Sequence, residues 1–188
     1  MTLKRIILGL IIIAAILGGV IIIRQYYFTQ PKTTSITQEY SSSVYGISFT
    51  FPLSYTLTEK DVSGSSTRKH HSITLTSTAE LPAPKNGEGP TSITIGIYQN
   101  NLDNQTSEQW IRNSNESNFK LSSGTTATTT LGGIPALSYR WSGLYEGTTI
   151  AIAKKDWIYA FTVTYLEPGS QIVQDFVEIK KSVHFFDK

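Results

Sequence analysis

Cysteine is absent from all 188 residues, and that absence removes more chemistry than any other feature of the sequence. Thiol nucleophiles, thiolate zinc sites, iron-sulfur clusters and stabilising disulfides are excluded together, as is a lipoprotein leader, which needs a cysteine to carry its lipid. Charge is sparse as well, at 16% of the residues, and only three histidines occur. Two of these, His70 and His71, are adjacent. On a strand, adjacent side chains point to opposite faces, so the two cannot chelate one metal ion together. No G-x-S-x-G elbow and no glycine-rich phosphate loop after a strand is present. S-x-x-K occurs at Ser66 to Lys69 and at Ser117 to Lys120. The S-D-N and K-T-G companions that would make this spacing catalytic are missing. Asp103, Glu108 and Glu116 lie among Asn, Gln and Ser, without the apolar setting that raises a carboxyl pKa. The chain is read as a non-enzyme, with no cofactor and no metal.

One long apolar run stands against this polar background. Ile6 to Ile23 is free of charge and fenced by Arg5 and Arg24. At ~1.5 Å per residue the run is roughly 27 Å long, close to the hydrocarbon thickness of a bilayer. It exceeds the ~7 to 15 apolar residues of a removable signal, and Gly18 and Gly19 are followed by Val20 to Ile23 rather than by a small-residue cleavage site. We read it as a retained single-pass anchor. Lys4 and Arg5 on the short side favour a cytoplasmic N-terminus and an extracytoplasmic C-terminal region at the cell membrane. Ala14 with Gly18, and Ala15 with Gly19, give the run a small-residue stripe that suits self-association. The expected division is a cytoplasmic stub over 1–5, a transmembrane anchor over 6–23, a flexible tether over 24–43 and an extracytoplasmic domain over 44–188. Without Lys4 and Arg5, the 16 basic residues fall to 14 against 14 acidic ones. A neutral exterior offers nucleic acid no concentrated basic face.

Period-two alternation marks the domain as sheet. Large apolar residues share a face in turn at Ile47, Phe49 and Phe51; Ile73 and Leu75; Ile93, Ile95 and Ile97. The same holds for Leu137, Tyr139 and Trp141; Ile150 and Ile152; and Trp157, Tyr159, Phe161, Val163 and Tyr165. This predicts a largely antiparallel sheet with one strongly buried side. Lys154 to Asp156 close a hairpin, and residues 81–90 form a Pro- and Gly-punctuated loop. Two segments change to helical period. Thr106 and Gln109 form a capping box ahead of Trp110 and Ile111. Ser170 can cap a second helix whose stripe is Ile172, Val173, Phe176, Ile179 and Val183, with Lys180 and Lys181 at its carboxyl end. The expected class is α+β, a mostly antiparallel sheet flanked by two helices.

Residues 125–130, TTATTT, fit an edge or solvent-facing strand, or a glycosylated patch. Asn104 and Asn115 head N-x-Thr and N-x-Ser triplets, which matter only in a pathway that glycosylates. Tyr98, Arg140 and Tyr145 fall opposite the main core stripe or at strand ends and form a candidate binding face. The alternative for them is packing against the first helix, since Trp110 needs a surface to cover.

"ISFTFPLSY", "LGGIPALSYRW" and "WIYAFTVTY" followed by the C-terminal helix and "SVHFF" resemble the PsbP-like family of α/β/α proteins. The resemblance implies a central antiparallel sheet flanked by helices. Plant members of that family assist photosystem II, and many bacterial relatives are exported, membrane-attached domains without known catalysis. No functional residue of the family is matched here. A membrane span and the lack of a lipid-accepting cysteine both depart from common members. The expected function is a non-enzymatic binding or assembly-support domain for an envelope protein partner. The alternatives are a small-molecule or glycan sensor with a groove between sheet and first helix, and, third, an unrecognised hydrolase.

Overall fold

The computed structural model describes residues 36–62, 68–83 and 88–186. The cytoplasmic stub, the anchor with its Ala14, Ala15, Gly18 and Gly19 stripe, and tether residues 24–35 lie outside the described residues. Among the described residues no helix is long and apolar enough to cross a membrane.

Seven strands form the main sheet: β3 (Tyr55–Asp61), β4 (His70–Ser77), β5 (Ser92–Gln99), β6 (Ala127–Leu131), β7 (Ile134–Ser142), β8 (Glu146–Lys154) and β9 (Trp157–Tyr165). Their order is β3-β4-β5-β9-β8-β7-β6, antiparallel at every pairing. Short hairpins join β6, β7, β8 and β9 in succession. The β8–β9 turn is closed by Lys155 at φ 50 with Asp156, where the Lys154 to Asp156 pattern placed it.

A second sheet of three strands pairs β1 (Thr37–Ser42), β2 (Ile47–Pro52) and β10 (His184–Phe185). This corrects two expectations. The ISFTFP strand belongs to the second sheet, because alternation tells which side is buried and not which sheet a strand joins. The folded unit begins at Ile36, eight residues before the expected boundary, so the end of the presumed tether is a strand. β1 reads as tether because it is an edge, polar but for Tyr40, whose ring stacks on Phe49 at 5.1 Å.

Both faces of the main sheet are covered, where one strongly buried side was expected. On the larger face, Ile73, Leu75, Ile93, Ile95, Ile97, Ile150, Phe161 and Val163 meet the second sheet and helix α2 (Gln171–Ser182) in one core. Phe49 of β2 lies edge-on to Phe161 at 6.4 Å between the sheets. Val173 is half-buried in the α2 stripe, and Ile172, Phe176, Ile179 and Val183 are buried. Ser182 ties the end of α2 to β2, its Oγ accepting from Thr50 N–H at 2.9 Å. At the other end of the helix Ser170 occupies the cap position, but its buried hydroxyl makes no capping bond.

The opposite face carries helix α1 (Ser107–Asn113) and two short 3-10 turns, packed through Trp110, Ile111 and Phe119 onto Tyr139, Trp141, Ala151, Ile158 and Ala160. The capping box at Thr106 and Gln109 is formed. Leu137, Tyr139 and Trp141 thus serve this smaller core. It is legible only from pairing, since their cross-strand partners Ala151, Thr149 and Gly147 alternate with Ile150 and Ile152 of the larger core.

Candidate functional site

The three residues of the candidate face do not share a surface. Tyr98 pairs with Ile158 and lies on the α1 side of the sheet. Its ring covers Gly96 and is sandwiched, stacked on His70 at 4.1 Å and tilted on Trp110 at 4.9 Å. Burial holds the Tyr98 phenol well above its ordinary range. Arg140 pairs with Thr148, which pairs with Val163, so Arg140 is exposed on the opposite side. Tyr145 sits in the β7–β8 turn, its hydroxyl donating to the Gly89 carbonyl. Strand parity separates the first two. The proposed groove between sheet and α1 is filled by Trp110, Ile111 and Phe119.

Side chains capable of recognition instead converge at the end of the sheet where β8 turns into β9. The β1–β2 turn brings Tyr45 there, held by the Tyr159 hydroxyl, which donates to the Tyr45 carbonyl at 2.5 Å. Gly46 follows at φ 63, where a side chain would meet the Phe186 carbonyl at 2.6 Å; the Phe186 N–H donates to the Gly46 carbonyl at 3.0 Å. The Tyr45 ring meets Trp157 edge-on, at 5.3 Å and 80°. Both rings are half-buried.

This aromatic pair divides two clefts. One, of about 160 Å³, lies among Val44, Lys154, Lys155, Asp156 and Phe186. The other, of about 380 Å³, is bounded by Asp61, Val62, Lys69, His70 and His71. Lys154 places its ammonium 5.9 Å from the Phe185 ring centroid, a cation–π distance. The clefts therefore offer aromatic faces and both signs of charge.

His71 lines the larger of these two clefts. Its ring stacks on Tyr45 at 4.6 Å, and Nδ1 lies 2.8 Å from the Asp61 carboxylate. The contact assigns the Nδ1 proton to the Asp61 bond, which leaves Nε2 as acceptor in the neutral ring. Nε2 is buried, without a hydrogen bond, 3.9 Å from Glu59. An Asp–His pair is two-thirds of a hydrolytic triad, yet among the described residues no hydroxyl bonds His71 as a nucleophile would. Burial, reinforced by the negative charges of Asp61 and Glu59, pushes the Tyr45 phenol up. His70 and His71 face opposite sides as strand geometry requires, and among the described residues no three His, Asp or Glu side chains are grouped to hold a metal ion.

A third and larger cleft, about 500 Å³, opens at the opposite end between Tyr55, Glu80, Tyr165, Glu167 and Asp175. Several of its polar groups already serve one another, while the Ser170 hydroxyl that also lines it is buried without a hydrogen bond. The Tyr55 hydroxyl donates to Asp175 at 2.8 Å, Gln171 to the same carboxylate at 2.9 Å, and Thr91 to Glu80 at 3.0 Å. It offers a ligand fewer unspent donors than its size suggests. Volume alone does not select it.

Sequence reasoning missed Tyr45 and counted Trp157 as core. The signal available was the pair of lysines with Asp156 immediately before a Trp at a hairpin. What it lacked was the β1–β2 turn that brings Tyr45 alongside.

No family model and no curated protein matches the chain. Among solved structures, the cyanobacterial PsbP (CyanoP) from Synechocystis sp. PCC 6803 is similar in fold, with a TM-score of 0.53, 11% sequence identity, and coverage of 83% of this chain and 96% of that one. That identity speaks to architecture alone, and on it the described domain has a PsbP-like fold.

Proposed function

We propose that this chain is a membrane-anchored, extracytoplasmic, non-enzymatic accessory domain that binds a protein partner of the cell envelope through the Tyr45–Trp157 end. The observation that carries the reading is the half-buried Tyr45–Trp157 pair standing between two clefts ringed by Lys154, Lys155, Lys69, Asp61 and Asp156. Aromatic anchors of low conformational entropy inside a mixed-charge rim are what protein interfaces concentrate their binding energy on. The anchor rests on the uncharged run Ile6 to Ile23, and the extracytoplasmic side on the Lys4 and Arg5 flank. The PsbP-like fold adds support as a likeness of architecture.

The test is chemical cross-linking in native membranes followed by capture of the full-length chain, with and without Trp157→Ala. The expected result is one or a few envelope proteins captured by the parent and lost from the variant. Their loss with Arg140→Ala, while Trp157→Ala retains them, would move the interface to the other end and overturn the assignment.

A further inference from the structure

The rims of a sheet present unpaired backbone N–H and C=O groups, and natural proteins blunt them with charge, proline, bulges or a covering element. Three strands at the rims of this fold conform. β3 carries Glu59, Lys60 and Asp61, β1 carries Glu39, and β10 is two residues long. β6, the other rim of the main sheet, does not conform. Its sequence, ATTTL, has no charge and no proline. Its pairing with β7 runs unbroken from Ala127↔Ser138 to Leu131↔Ile134, so no bulge twists it away. Among the described residues, no backbone hydrogen bond reaches β6 from any element but β7.

We propose that β6 is a docking edge at which two copies of this chain pair, antiparallel, β6 against β6. Antiparallel pairing of identical edges is closed and two-fold, each strand offering the other the same surface. Centred on Thr129, it sets Thr128 of one copy opposite Thr130 of the other, a threonine pair of the kind that stabilises sheets, with no like charges in opposition. A foreign extended peptide would need side-chain pockets beside the edge for its selection. None of the three clefts is lined by any residue of β6 or β7. The uncharged, threonine-rich strand suits pairing with a copy of itself. Pairing needs only β6 and is independent of the anchor.

The absence of native cysteine makes the test clean. Thr129→Cys alone, which stands opposite itself across the two-fold, and Thr128→Cys with Thr130→Cys together, which stand opposite each other, are introduced into the full-length chain, oxidised in membranes, and scored for disulfide-linked dimer. Thr58→Cys on the exposed β3 rim is the reference. Dimer from the β6 positions is expected to exceed that from Thr58→Cys several-fold. Adding Thr128→Lys and Thr130→Lys to the Thr129→Cys chain, which opposes lysine to lysine, is expected to lower it roughly fivefold. Unchanged unfolding midpoints would show that the variants fold. Absence of dimer from both the Thr129→Cys chain and the Thr128→Cys, Thr130→Cys chain overturns the proposal, as does equal dimer at Thr58, which reports association through another part of the chain. Protection of β6 amides from exchange without dimer would assign the edge to a foreign strand and also overturn it.

Discussion

A methyl group on Gly147 would stand 2.2 Å from Cε2 of Trp141, inside the indole ring that lies flat over this glycine. The ring has no slack, since Trp141 is buried and its Nε1–H donates to Thr149 at 3.0 Å. Gly147→Ala is therefore expected to destabilise the domain by about 1–3 kcal/mol, the range for overpacking a filled core. Denaturant unfolding reads this as a fall in midpoint at unchanged slope. His70 offers a second prediction at this scale. Burial lowers its pKa, with Glu116 pulling upward and His71 and Lys60 adding to the depression. A histidine with a depressed folded pKa binds more protons when unfolded. Its contribution is thus fully present above the ordinary imidazole value of about 6.5 and is lost as pH falls through that value towards the folded pKa. The loss of stability across that window in the parent is expected to be smaller in His70→Gln, measured as the difference between their unfolding curves at matched pH.

At the scale of elements, helical period and strong alternation were readable, and what joins elements was not. Thr106, Gln109 and the α2 stripe carry local rules, so both helices stand where the pattern put them. β1 and β10 form through contacts made far away in sequence, and TQEYSS shows only a solvated face to a reader of periodicity. The clasp at Ser182 is equally illegible, because its partner Thr50 lies 132 residues away. Its Oγ accepts from Thr50 N–H and donates to the Ile179 carbonyl at 2.8 Å. Ser182→Ala leaves the Thr50 N–H without its acceptor, and a cost of about 1–3 kcal/mol is expected for a donor so orphaned. Hydrogen exchange at Thr50 would rise with it, which separates this local loss from general destabilisation.

At the scale of the whole molecule, the candidate face of Tyr98, Arg140 and Tyr145 illustrates what a linear reading loses. Tyr98 lies off the main core stripe, whereas Arg140, in register with Thr148 and Val163, stands on that stripe's own side of the sheet. Whether two such residues share a side depends on pairing parity accumulated over β5, β9, β8 and β7, which the sequence does not display. The expectation of membrane attachment is the reverse case, resting on composition alone. Ile6 to Ile23 has the length to span and no charge, and Lys4 with Arg5 weights the short side. Protease added to intact cells is accordingly expected to digest the domain from outside, while the mass of the undigested membrane species includes residues 1–23. Digestion only after the cells are opened would reverse the orientation. A mature mass beginning beyond Ile23 would make the run a removed leader, and the Tyr45–Trp157 end would then serve a freely diffusing binding protein instead of an anchored one.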